Sequence, residues 1–135
     1  MNELFSVKDS VILLTGGYGI LGACMAKHLA KEGARVVVIG RNAQKGQALV
    51  DAIRSERGEA LFAEADALDQ ASLVKARELI LSQYGRIDVL VCNAGIARQE
   101  LFTDITEASW REVMGVDLDG VFYCAQAGLP DMLRR

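Results

Sequence analysis

Residues 11–22, VILLTGGYGILG, constrain this chain more than any other stretch. Val11, Ile12, Leu13 and Leu14 form the unbroken apolar run that a strand buried on both faces requires. Thr15 ends the run, Gly16, Gly17, Gly19 and Gly22 follow, and an apolar helical pattern begins at once. Gly17, Gly19 and Gly22 fit G-x-G-x-x-G, in the strand–turn–helix setting that gives the motif its meaning. Glycines permit a tight turn and let the backbone come close to a pyrophosphate, and the free N–H groups that open the helix bind that anion. The spacing therefore predicts a dinucleotide site at the start of the first helix.

The strand–helix unit then repeats. Leu21, Met25 and Leu29 fall at i, i+4 and i+8, widened by Ala26 and Ala30, and Gly33 stops the helix. Residues 35–39, RVVVI, read as a second strand, apolar on both faces. Residues 43–57 read as an amphipathic helix with Ala48, Leu49, Ala52 and Ile53 inward and Gly58 as its cap. A third strand is expected over 60–65, ALFAEA. Asp69 then N-caps a helix carrying Leu73, Ala76, Ile80 and Tyr84, which ends at Gly85. Residues 87–92, IDVLVC, read as a fourth strand. Thr106 opens a long helix with the stripe Trp110, Val113, Met114, Asp117, Leu118, Val121, Phe122 and Ala125. Gly128 and Pro130 are expected to break it before a short helix or tail from Asp131. This alternation predicts an α/β fold with a doubly wound parallel sheet of Rossmann type.

Three places beyond the glycine turn sit where such a sheet holds a ligand. Gly40, Arg41 and Asn42 follow the second strand, at the position that grips the adenosine ribose. A carboxylate there would bind a 2′-hydroxyl; Gly40 brings none, and Arg41 is a permanent cation suited to a 2′-phosphate. The expected cofactor is thus NADP, with NAD the weaker choice. Asp66 ends the third strand, either accepting from an adenine amino group or acting as a turn residue. Asn93, Ala94 and Gly95 follow the fourth strand, small enough for a ribose to lie against the backbone.

Composition excludes other classes. Hydrophobic residues make up 51% and proline occurs once, which favours a packed core over disorder. The net charge is −3 with basic residues scattered, an argument against nucleic acid as partner. No apolar run approaches the roughly 18 residues of a membrane span, and residues 1–10 lack the apolar core of a signal peptide. Cys24, Cys92 and Cys124 read as buried small hydrophobes in a reducing compartment, not as disulfides or a metal site. A cytoplasmic location is the expectation. His28, the sole histidine, is expected on a solvent-facing helix position.

These residues together resemble the short-chain dehydrogenase/reductase family, classical type. The likeness rests on TGGYGILG at 15–22, GRN at 40–42, Asp66, CNAG at 92–95 and VDLDGVF at 116–122, and covers essentially the whole chain. The resemblance implies NAD(P)-dependent oxidoreduction of an alcohol or carbonyl, and a strand order of 3-2-1-4. It implies pyrophosphate contacts around Gly16, Tyr18, Gly19 and Ile20, adenine contact by Asp66, and ribose contact by Asn93, Ala94 and Gly95.

The sequence departs from the family pattern in three places. Ile20 stands where the usual turn carries glycine. Asp117 stands at the family's helix Asn, part of its catalytic tetrad, and a carboxylate does not donate as an amide does. No tyrosine here is followed by lysine four residues on, and the family's catalytic Ser and Tyr-x-x-x-Lys fall beyond Arg135. The expectation is one NAD(P)-binding domain over residues 1–135, truncated relative to the family. Its fourth strand would lie at a sheet edge, and its helix from Thr106 would join subunits of a homo-oligomer. The competing expectation is a nucleotide-binding or assembly module without turnover.

Overall fold

The computed structural model describes residues 3–134. Four strands, β1 (Val11–Thr15), β2 (Arg35–Gly40), β3 (Glu59–Glu64) and β4 (Val89–Val91), form one parallel sheet in the order β3-β2-β1-β4. Leu14 pairs with Val38 on one side and Val91 on the other, so β1 is central. Helices α1 (Ile20–Lys31), α2 (Ala43–Ser55) and α3 (Gln70–Tyr84) connect the strands. Helices α4 (Glu107–Met114) and α5 (Gly120–Leu133) follow β4, joined by one π-helical turn over Gly115–Asp119.

Strand alternation divides the core in two. Val11, Leu13, Val37 and Ile39 face α3 and α5, where they meet Leu73, Ile80 and Cys124. Ile12, Leu14, Val36 and Val38 face α1 and α2, where they meet Ala26, Leu49, Val50 and Ile53. Both faces are therefore covered, which is why β1 and β2 carry no polar alternation. Leu14 is fully buried; truncating it to alanine would cost about 2–5 kcal/mol.

Several local expectations are corrected. The contact face of α1 is Gly22, Ala26 and Ala30, while Leu21 is exposed. Small residues win that face because the helix must approach the turn and sheet closely. In α2, Gly46 and Val50 are buried with Leu49 and Ile53, and Ala48 faces solvent. A side chain at Gly46 would collide with the Phe62 ring. The left-handed residue that closes α2 is Arg57 (φ 65°) rather than Gly58. Gly58 is required for space, since a Cβ there would lie 2.7 Å from Ile53 Cγ2.

The fourth strand is three residues long rather than six, and past its end the Thr15 hydroxyl accepts the backbone amides of Asn93 and Ala94. Pro130 does not break α5. The helix runs on through it to Leu133, without the backbone bond that residue 130 would have donated. The Arg77–Asp131 ion pair ties that end to α3, and Met132 packs on the core. Cys124 is buried and Cys92 half-buried, but Cys24 is exposed on α1, against expectation. His28 is exposed, as expected.

The π turn changes the long stripe most. Its extra residue rotates the helix, so positions 113, 117 and 121 do not share one buried face. Gly120, Cys124 and Gly128 face the core instead. Trp110, Leu118, Val121 and Phe122 are left exposed. No helix among the described residues is long and apolar enough to cross a membrane.

Candidate functional site

A cleft of about 190 Å³ opens at the carboxyl ends of the strands, where open α/β sheets take their ligands. The glycine turn, the 40–41 corner, Asp66 and the 94–96 loop all reach it. Another cleft, lined by Lys27, Lys31 and Arg57, lies at the opposite end of the sheet. Helices α1 and α2 point their C-terminal carbonyls there, the wrong polarity for a phosphate.

Helix starts distinguish the first cleft. Asn42 caps α2 by accepting from the Lys45 amide, Asp69 caps α3 through Ala71 and Ser72, and Thr106 caps α4 through Ser109. Helix α1 begins at Gly19, with no side-chain cap. Its opening N–H groups carry the positive end of the helix dipole toward the cleft. The turn leading there is built for close approach. Gly16 has φ +64°, and a Cβ on it would sit 3.0 Å from Ala94 Cα. A Cβ on Gly17 would press on Val38, and one on Gly22 would lie 2.2 Å from the Gly16 carbonyl oxygen. Gly19 donates its N–H to that same carbonyl at 3.1 Å.

Thr15, which sequence reasoning treated only as a strand end, joins central β1 to the loop after edge strand β4 at the cleft. Its buried hydroxyl accepts from the amides of Asn93 (3.0 Å) and Ala94 (3.1 Å). Asn93 Nδ2 donates to the Gly16 carbonyl at 3.3 Å. The turn after β1 and the loop after β4 are thereby locked together. A lone threonine at a strand end carries no pattern that would have revealed this.

The remaining expected residues fall around the rim. Arg41 is exposed at the corner after β2. Tyr18 is half-buried beside it, and its hydroxyl accepts from the Asn42 amide at 3.0 Å. Ile20 is exposed on the first turn of α1. Asp66 lines the cleft, with Oδ1 accepting from the Leu68 amide at 2.9 Å, so one carboxylate oxygen is engaged in a turn.

Asp117 does not stand on a buried apolar face as its spacing suggested. It is exposed on the π turn, and its Oδ1 accepts from the Ile96 amide at 2.9 Å beside Gly95. That contact needs only an acceptor, which a carboxylate and an amide oxygen supply equally.

Sheet order and flanking helices define an α/β protein of Rossmann type. Residues 10–135 match the short chain dehydrogenase family model, and the chain belongs to that family of oxidoreductases. It is 34% identical to 5-keto-D-gluconate 5-reductase of Escherichia coli strain K12, over all of this chain and 53% of that protein. It is 41% identical over 105 residues, 78% of this chain, to an uncharacterized oxidoreductase of Bacillus subtilis, covering 37% of that protein. The structure of a metagenomic short-chain oxidoreductase in complex with NADP superposes with a TM-score of 0.87 at 29% identity, covering 96% of this chain and 59% of that one. A short chain dehydrogenase from Bacillus anthracis gives 0.82 at 36% identity, covering 87% and 49% respectively. The chain spans about half the length of the curated relatives it matches.

Proposed function

We propose that residues 1–135 are the cofactor-binding domain of an NADP(H)-dependent oxidoreductase acting on an alcohol or carbonyl. One observation carries this reading: α1 lacks the side-chain cap that α2, α3 and α4 possess, and its amides open over a glycine turn that would admit no Cβ at Gly22. These residues fit the group. Gly16, Gly17, Tyr18, Gly19, Ile20 and Gly22 would surround the pyrophosphate. Arg41 and Asn42 would hold the 2′-phosphate end, Asp66 the adenine, and Asn93, Ala94 and Gly95 a ribose. The bound nicotinamide would supply hydride exchange. In this chain Thr15 and Asn93 hold the two loops at a fixed separation, and Asp117 orders the backbone at Ile96.

The preference for NADP(H) over NAD(H) rests on Arg41 and on the lack of a carboxylate at position 40. Calorimetric titration of wild type and Arg41→Asp tests it. Wild type is expected to bind NADP at least about tenfold more tightly than NAD, and the variant to lose that margin. Equal wild-type affinities would refute the preference, and binding of neither would refute the cofactor reading.

The exposed Trp110, Leu118, Val121 and Phe122 support a second copy packing on the α4–α5 face, and hence a homo-oligomer. The three free cysteines support a cytoplasmic location. An assembly module without turnover remains the second reading, favoured by that same apolar face.

A further inference from the structure

The Tyr18 ring lies across Gly40, twenty-two positions further along the chain. A Cβ on Gly40 would fall 2.2 Å from Tyr18 Cε1 and 2.7 Å from both Cζ and Oη. The ring is held there by packing on the α1–α2 side of the core. Its oxygen takes the Asn42 N–H at 3.0 Å, at the first corner of α2. Position 40 is where a carboxylate would have to project to meet a ribose 2′-hydroxyl. The aromatic ring therefore fills the volume that such a side chain needs.

The hydroxyl has a second consequence. Having accepted one hydrogen bond from the backbone, it keeps its own O–H to donate. Tyr18 and Arg41 both line the cleft, which places the phenol and the guanidinium on one rim. A 2′-phosphate offers anionic oxygens to both, and hydrogen bonds to a charged acceptor are the stronger kind.

We propose that Tyr18 is a specificity-determining residue that selects the phosphorylated adenosine ribose, its ring excluding an acidic side chain at position 40 and its hydroxyl donating to the 2′-phosphate. This rests on the NADP(H) reading and goes beyond it: Arg41 supplies the charge, and the Tyr18 ring occupies the space that the alternative chemistry needs. Positions 18 and 40 are then coupled, so an acidic residue at 40 gains nothing while the ring is present.

The test measures dissociation constants of NADP and NAD by calorimetry for wild type, Tyr18→Phe, Gly40→Asp and the Tyr18→Ser/Gly40→Asp double variant. Tyr18→Phe keeps the ring and removes only the hydroxyl. It is expected to weaken NADP about tenfold and NAD by less than about twofold. Gly40→Asp alone is expected to gain no NAD affinity and to melt at lower temperature. The double variant is expected to bind NAD at least about tenfold more tightly than Gly40→Asp. An unchanged NADP-to-NAD ratio in Tyr18→Phe would overturn the proposal, as would equal NAD gains in the single and double acidic variants. Should Gly40→Asp not fold, the ratio in Tyr18→Phe decides alone. If wild type binds neither dinucleotide, the cofactor reading itself falls; if it binds NADP and the ratio does not move, only the role of Tyr18 falls.

Discussion

Gly22→Ala isolates the closeness of turn and helix from every other property of the site. The added methyl would lie 2.2 Å from the Gly16 carbonyl oxygen, 2.8 Å from Gly17 Cα and 3.0 Å from Gly16 carbonyl carbon, all backbone atoms. Ordinary contact begins near 3.4 Å, so α1 and the turn must part by about 1 Å. Alanine itself favours a helix by about 0.5–1 kcal/mol over glycine. Overpacking typically costs about 1–3 kcal/mol, and here no flexible side chain is available to give way. The net expectation is a loss of about 1–2 kcal/mol and a fall in Tm of roughly 4–10 °C. Displacing the opening amides should also weaken NADP at least about tenfold. Gly85→Ala is the matched control. Gly85 has φ +69° with nothing within 4 Å of a Cβ, so alanine there brings backbone strain of about 1–2 kcal/mol and no clash. Thermal melts with and without NADP separate the two variants. Wild-type affinity in Gly22→Ala, or an equal loss in Gly85→Ala, would show that the close approach of turn and helix does not govern binding.

Three further outcomes follow from particular contacts. Thr15→Val removes a buried hydroxyl that receives two amides; a loss of about 2 kcal/mol in denaturant unfolding is expected, together with weaker NADP binding, and unchanged stability would contradict it. Asp131 is held below its ordinary value of 3.8, chiefly by the hydrogen bond from Arg77. The stability it contributes is therefore present above about pH 4 and lost as pH falls through its folded-state value, and Arg77→Ala should flatten the acid limb of a Tm-against-pH curve. Burial, with Cys92 adding to it, pushes the Cys124 thiol up to about 11. At about pH 8 a thiol reagent should label exposed Cys24 first and Cys124 only after unfolding, and early labelling of Cys124 by mass spectrometry would disprove its burial.

The elements that could be read from the sequence are those specified by local pattern. The apolar runs of β1 and β2, the glycine spacing and the N-caps Asp69 and Thr106 each act within a few residues, and each forms where expected. What escaped depends on approach between distant segments. The burial of Gly46 is set by the Phe62 ring, and the exposure of Leu21 by the small-residue face Gly22, Ala26 and Ala30. The π turn at Gly115–Asp119 adds one residue to a helix without any compositional mark, yet it decides which side chains meet the core. At the cleft, the sequence pointed to Gly16, Gly40, Arg41, Ala94 and Gly95, which line it, but not to the Thr15 bridge or the Tyr18–Gly40 contact. Both are tertiary contacts of single side chains, and neither has a periodicity to betray it.

On the proposed reading, an anionic dinucleotide docks on the uncapped start of α1. Amide ¹H–¹⁵N shifts followed during NADP titration test this most directly. The largest changes are expected on the amides of residues 18–21, with Arg41 and Ala94 following at the same ligand concentration. Amides 18–21 that stay fixed while those of Lys27, Lys31 and Arg57 move would put the ligand at the opposite end of the sheet and rule out docking at α1.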